Sequence, residues 1–278
     1  MKPRQLALEV LSLADPAAKA ARTRVLFEQV RAVDVASLDI ASEPRLPAAL
    51  ELPGRPPRPR LVSPADVPRR SPFTAEGRAA LLHAIAHIEF NAINLALDAA
   101  WRFGGMPLAY HLDWLRVASE EALHFTLLGA HLRSLGHDYD DFDEHDGLWA
   151  MVEKTRGDVV ARMALVPRTL EARGLDATPP LQKKLACAGD ARAVEILDII
   201  LRDEVGHVAI GNRWYRWLCA RDGLEPREHY RRLAARHGAP RLKPPFNLAA
   251  RRAAGFSTGE MDDLLRRDDD TTPAAADA

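Results

Sequence analysis

The 278-residue chain has only two cysteines, Cys187 and Cys219, and neither belongs to a CxxC pair. Two thiols cannot staple a chain of this length into a disulfide framework. No stretch approaches eighteen apolar residues without a charge, so a membrane span is not expected. The opening MKPRQLALEVLSLADPAAK carries basic residues but no long apolar run before Asp15 and Pro16. Charge of one sign is missing too: 38 basic and 39 acidic residues leave a formal net charge of −1. That balance supplies no whole-protein field for nucleic acid or a membrane surface. What remains is an apolar content of 47%, ordinary for a globular protein with one substantial core. A cytoplasmic protein is the expectation.

Residues 5–38 read as helical with a break at Asp15–Pro16. Residues 43–72, EPRLPAALELPGRPPRPRLVSPADVPRRSP, are too rich in proline for a helix and read as an arm lying on the main body. A first long helix opens near Thr74, with Leu81, Ile85, Ile88, Ala92, Leu95 and Ala99 at helical spacing, and ends at Gly104–Gly105. A second opens at Pro107 and reaches about Leu135, before Gly136. After the acidic loop HDYDDFDEHDG, a third runs from about Leu148 to Arg173, where Gly174 and Pro179–Pro180 are expected to break it. A fourth starts at Asp190, a good N-cap, and continues through Cys219. A short helix over 226–237 and a capping box of Ser257 and Glu260 follow, then a frayed tail, DDDTTPAAADA. The fold class is all-α: a helical bundle over 73–220, an N-terminal helical segment and arm over 1–72, and a C-terminal extension over 221–278.

Two of the long helices carry the same element, Glu121-x-x-His124 and Glu204-x-x-His207. Residues three apart share a helix face, about 5–6 Å from each other, so each pair can address one metal ion. Glu89 lies 15 residues before Gly104 and Glu121 lies 14 after Pro107, which puts them at similar heights in an antiparallel hairpin. Glu171 precedes Glu204 by 33 residues, nearly the 32 that separate Glu89 from Glu121. Glu153 is the alternative on the third helix. One glutamate from each of two helices and Glu-x-x-His from each of two more is a way to build a dinuclear carboxylate centre in a bundle. Carboxylate and imidazole donors suit iron or manganese, so two iron ions are expected, with manganese or a mixed pair as alternatives. Asn94, Tyr110, Asp198 and Asp203 are candidates to hold the distal imidazole protons or the ligating carboxylates. His83 and His87 read as packing or surface histidines, the acidic loop as solvated, and the pairs Arg231–Arg232 and Arg251–Arg252 as solvated helix faces.

The blocks HIEFNAINLALDAAWRF, EEALHF, VPRTLEARGLD, LRDEVGHVAIGNRWY and KPPFNLAARRAAGF resemble the DUF455 family of bacterial ferritin-like proteins. The resemblance implies a ferritin-like four-helix core of the di-iron superfamily, with residues 137–147 as the crossover between its hairpins. It implies metal ligands at Glu89, Glu121, His124, Glu171, Glu204 and His207. A more distant resemblance to the tRNA-modifying di-iron hydroxylases related to MiaE implies oxygen-dependent hydroxylation. Its tRNA substrate is not carried over, because no basic and aromatic RNA-binding motif is evident. The leading expectation is therefore a di-iron oxygenase or oxidase. It would act on a small-molecule or nucleotide-like substrate, with an electron donor as partner and a homodimer as its assembly. A ferroxidase or iron-handling protein, and a structural or interaction protein with a metal-stabilised bundle, are the alternatives.

Overall fold

The structure, a computed structural model of the chain, describes residues 1–46 and 51–269. Residues 47–50 of the arm and 270–278 of the expected tail lie outside the described residues. The elements are α1 (Pro3–Leu11), α2 (Pro16–Ala32), α3 (Ala75–Arg102), α4 (Leu108–Ser134), α5 (Gly147–Lys154) and α6 (Val159–Leu165). A π-helical turn (Val166–Glu171) leads into α7 (Ala172–Cys187), followed by α8 (Ala191–Arg221), α9 (Pro226–His237), α10 (Leu248–Ala253) and α11 (Thr258–Asp269). Among the described residues the only β pairing is one isolated bridge, Leu61 with Glu144. The protein is all-α.

The helix starts follow from local chemistry. Asp15 accepts from the Ala18 amide at 2.6 Å with Pro16 at the first helical position, and Thr74 Oγ1 accepts from the Gly77 amide at 3.1 Å. Asp158 and Asp190 do the same for α6 and α8. Ser257 and Glu260 form the reciprocal box at α11: the Ser257 amide donates to Glu260 Oε2, and the Glu260 amide to Ser257 Oγ. Each such cap contributes about 1 kcal/mol by satisfying amides that the helix cannot.

Residues 1–157 and 182–200 form one compact unit, and residues 158–181 with the chain from 201 onward form a second. In the first, α3 and α4 pack along each other and α1 and α2 lie over them. Helix α3 is long and apolar enough to cross a membrane by composition, but most of its apolar stretch is buried within the protein. Its buried face differs from the stripe read off the apolar spacing. Ile88 is 51% exposed, whereas His83 and His87 are buried. The reason is the acidic loop, which keeps Asp138, Asp140 and Asp141 in solvent but turns Tyr139, Phe142 and Glu144 inward over α3. His83 Nδ1 lies 2.8 Å from Glu144 Oε1 and its Nε2 lies 2.7 Å from the Tyr139 carbonyl, while His87 Nδ1 meets the Tyr139 hydroxyl at 2.8 Å. Tyr139 and Phe142 are buried alongside.

The same loop clips the proline-rich arm. The Val62 amide donates to the Glu144 carbonyl at 2.7 Å, and Arg55 and Arg60 pair with Asp146 and Asp143. Next to Arg55, the arm meets the N-terminal helices at Gly54. A Cβ there would lie 2.1 Å from the Ser12 carbonyl oxygen, so only glycine allows the approach. Lys19 on α2 closes this joint. Fully buried, its Nζ donates to the Gly54 carbonyl at 2.7 Å and to Asn94 Oδ1 of α3 at 2.6 Å, 5.0 Å from the Phe90 ring centroid.

Burial, with the positive Arg55 adding to it, pushes the Lys19 amine down from its ordinary value to about 7. Above that pH the folded chain has released a proton that the unfolded chain keeps until about pH 10. Stability therefore rises with pH across this window on account of Lys19. Denaturant titrations of the wild type and Lys19→Met from pH 7 to about 10 are expected to show a stability difference that shifts in favour of the wild type as pH rises. A difference independent of pH would show that Lys19 is not held in this desolvated state.

Candidate metal centre

In the first unit, Glu89 of α3 and Glu121 and His124 of α4 come together in the interior. Their relative exposures are 3%, 0% and 0%. His124 Nδ1 lies 3.0 Å from Glu89 Oε2 and 3.1 Å from Glu121 Oε2, and one ligand atom from each of the three residues lies within 4.8 Å of the others. The hairpin register inferred by counting outward from the Gly104–Pro107 turn is the register that makes this contact. A single ring nitrogen faces two carboxylates in a space closed to water. Burial first, and then the negative charge of Glu121, hold the Glu89 carboxyl well above the usual carboxylate range, against the pull of His124. The set offers two oxygen donors and one nitrogen, and a divalent cation among them would offset the repulsion that burial aggravates.

In the second unit, Glu204 and His207 sit three residues apart on α8, His207 Nδ1 3.9 Å from Glu204 Oε2. Glu171 ends the π-helical turn. All three residues are buried, at 7%, 0% and 8% exposure in that order. Gly174, one turn beyond Glu171, faces Glu204: a Cβ built on it would lie 3.8 Å from the Glu204 carboxyl carbon. Ala172, Leu175 and Val208 share an apolar cluster with Ala250 and Ala254, which presses the start of α7 onto α8 at this height.

The third helix departs from expectation at both ends. It is broken early, where α5 stops at Lys154 and Asp158 caps a new helix, α6. Glu153, the alternative ligand, is exposed on α5 and pairs with Arg156 at 3.7 Å. The break expected at Gly174 and Pro179–Pro180 does not occur, because α7 passes through all three residues to Cys187. Pro179 has no amide to offer the Leu175 carbonyl one turn back. Asn247 Nδ2 donates to that carbonyl instead, at 3.2 Å, and the Asn247 amide donates to Asp176 at 2.8 Å. The irregularity lies upstream, at Pro167, where the missing amide widens the helix into a π turn. Thr169 Oγ1 donates to the Ala164 carbonyl five residues back, at 2.9 Å. Such turns shift every later side chain around the helix axis, and here they set the direction of Glu171.

The four candidates around the ligands separate. Asn94 is buried and engaged by Lys19, and Tyr110 is buried with its ring against Trp114. Asp203 pairs with its neighbour Arg202 at 2.8 Å, and Asp198 is exposed, accepting from Gln182 at 2.6 Å. Reading the chain alone missed the arginines of the second unit. Arg251 is no solvated face: it is 2% exposed and donates to Asp176 at 3.0 and 2.5 Å. Arg168, in the π turn, is 3% exposed, donates to Asn212 Oδ1 at 2.5 Å and pairs with Glu260. The one available signal was an arginine inside the apolar run MALVPRTL.

An all-helical protein with buried carboxylate–imidazole sets is thus defined by its own geometry. The family described as "Protein of unknown function (DUF455)" matches residues 12–262, and the chain belongs to it. An "Uncharacterized protein" of Haemophilus influenzae (strain ATCC 51907 / DSM 11121 / KW20 / Rd) is 56% identical over 214 residues, 74% of each chain. No solved structure matches the chain.

Gly211 of α8 gives access to the π turn. A Cβ there would lie 2.4 Å from Pro167 Cβ, in a position where neither backbone can yield cheaply. Gly211→Ala is expected to destabilise the protein by about 1–3 kcal/mol through overpacking. An unchanged unfolding midpoint in denaturant would show that Pro167 does not rest on Gly211.

Proposed function

We propose that the two buried Glu–Glu–His sets are the halves of one dinuclear iron centre in a ferritin-like four-helix core. On this reading the protein is a di-iron carboxylate oxidoreductase, an oxygen-dependent hydroxylase or oxidase. The observation that carries it is the contact of Glu89, Glu121 and His124 in the interior of the first unit. Buried carboxylates of like charge are costly unless a cation or a proton compensates them. The second set repeats the same residue types at the same i, i+3 spacing. Four carboxylates would balance two divalent cations, and the donors suit iron or manganese better than a thiophilic metal.

When bound, such a pair of ions would supply two of the four electrons that dioxygen takes up; in a hydroxylation the substrate C–H bond would give the other two, and a donor partner would return two electrons to the ions in each turnover. The chain's own part is positional. Glu121 and His124 share one face of α4, Glu204 and His207 one face of α8, and Glu89 and Glu171 complete the two sets. The residues of the second set are buried, and the neighbouring Ala172, Leu175 and Val208 belong to an apolar cluster.

Metal analysis of protein loaded anaerobically with ferrous iron is expected to give two ions per chain. Glu121→Ala and His207→Ala should each lower that number or alter the optical spectrum after oxygen exposure. Unchanged occupancy and spectra in both variants would remove the assignment. Glu171→Ala is expected to affect metal content more than Glu153→Ala, and the reverse order would transfer the third-helix ligand to Glu153.

A further inference from the structure

The second unit contains a cavity of about 470 Å³ between α9, α11 and the chain from Ala239 to Leu242, with Arg168 in its wall. That volume is within the range of small-ligand sites, about 300–1,000 Å³. Its polar lining is one-sided. Five guanidinium groups contribute to it, from Arg168, Arg227, Arg231, Arg241 and Arg251, against two carboxylates, Glu260 and Asp263. The balance of the lining is 5 − 2 = +3, and both carboxylates are already shared. Glu260 accepts from Arg168 and Arg216, and Asp263 from Arg227 and Arg231. Counting Asp176, which holds Arg251 from outside the cavity, still leaves a surplus of two positive charges.

Two of the cations differ from the rest. Arg168 is fixed at 4.5, 5.2 and 5.3 Å from the ring centroids of Tyr215, Tyr230 and Phe256. Its Nη1 is buried with no hydrogen-bond partner among the described residues. Arg241 is exposed at the rim and makes no ion pair among the described residues. The rest of the wall includes apolar and aromatic side chains, Leu242, Met261 and Leu264 together with Tyr230 and Phe256, the last two both against Arg168. A wall of this kind, with surplus guanidinium charge, recognises an anionic group carried on a flat apolar body.

We propose that this cavity is a binding site for a small organic anion, its flat apolar part lying against Tyr230 and Phe256 and its phosphate or carboxylate group facing Arg241. The site is a property of the second unit, and its test is independent of any metal. Anilinonaphthalene sulfonate, a flat fluorescent anion, is the first probe for the intact folded chain. Saturable binding at one site per chain is expected, with uncharged N-phenylnaphthylamine at least about tenfold weaker, a difference of about 1.4 kcal/mol. Arg241→Ala and Ala235→Trp, the latter filling the cavity from the exposed side of α9, should each weaken the probe by about tenfold with an unchanged melting temperature. Phenyl phosphate and benzoate as competitors then tell a phosphate from a carboxylate headgroup, and displacement by either supports the site. Equal affinity for the neutral analogue overturns the proposal. So does full binding in both variants, or failure of both competitors to displace the probe.

Discussion

Two carboxylates held out of water against one imidazole set the terms for the first unit. Ionised acids in a protein interior are expensive, and a hydrocarbon residue of similar size often serves stability as well or better. Yet Glu89 and Glu121 lie on the contact between the two longest helices of that unit, where Leu or Met could pack. The rest of α3 is arranged in keeping with this. Asn91 donates to His87, Asn94 accepts from Lys19, and Asp98 accepts from Arg102, so the buried polar groups of the helix are engaged along its length. Polar contacts of this kind constrain the rotation of α3 about its axis more narrowly than apolar packing alone, because each must find its partner. Helix rotation decides whether Glu89 faces α4. The acid cluster and the hydrogen bonds that orient it are therefore one structural problem.

Much of this was legible in the chain. The caps Asp15, Thr74, Asp190 and Ser257 marked helix starts because their side chains replace missing backbone partners, a local effect that needs no tertiary context. The register of Glu89 against Glu121 was countable because a tight turn joins two regular helices of fixed rise. The acidic loop was not legible. Its composition says solvent, but Tyr139 and Phe142 pull it inward and Glu144 finds His83, a contact 61 residues away. The same long-range pairing turned His83 and His87 from apparent exceptions on α3 into its buried face. Arg251 was hidden for the same reason, since its partner Asp176 lies 75 residues earlier.

The prolines on either side of Glu171 show where local rules fail and why. A proline in a helix leaves a carbonyl without its donor, and from sequence alone the economical inference is that the helix stops. At Pro179 it continues because Asn247, from a distant part of the chain, supplies the missing donor to Leu175. At Pro167 the helix continues by widening, and Gly211 on α8 leaves room for the proline ring. Both solutions are tertiary, and both come from residues after 200. Asn247 and Arg251 tie α10 to Asp176, and Glu260 of α11 holds Arg168, so the C-terminal helices support the turn that carries Glu171. Burial alone would raise the Glu260 carboxyl, but Arg168, the bonds from Ser257 and the charge of Arg216 keep it below its ordinary value. The anchor is thus ionised at neutral pH. A chain that ended at the last long helix would leave the Leu175 carbonyl and the Arg168 guanidinium without these partners, in a segment already lacking three backbone donors, at Pro167, Pro179 and Pro180. The C-terminal helices are for that reason part of what positions Glu171.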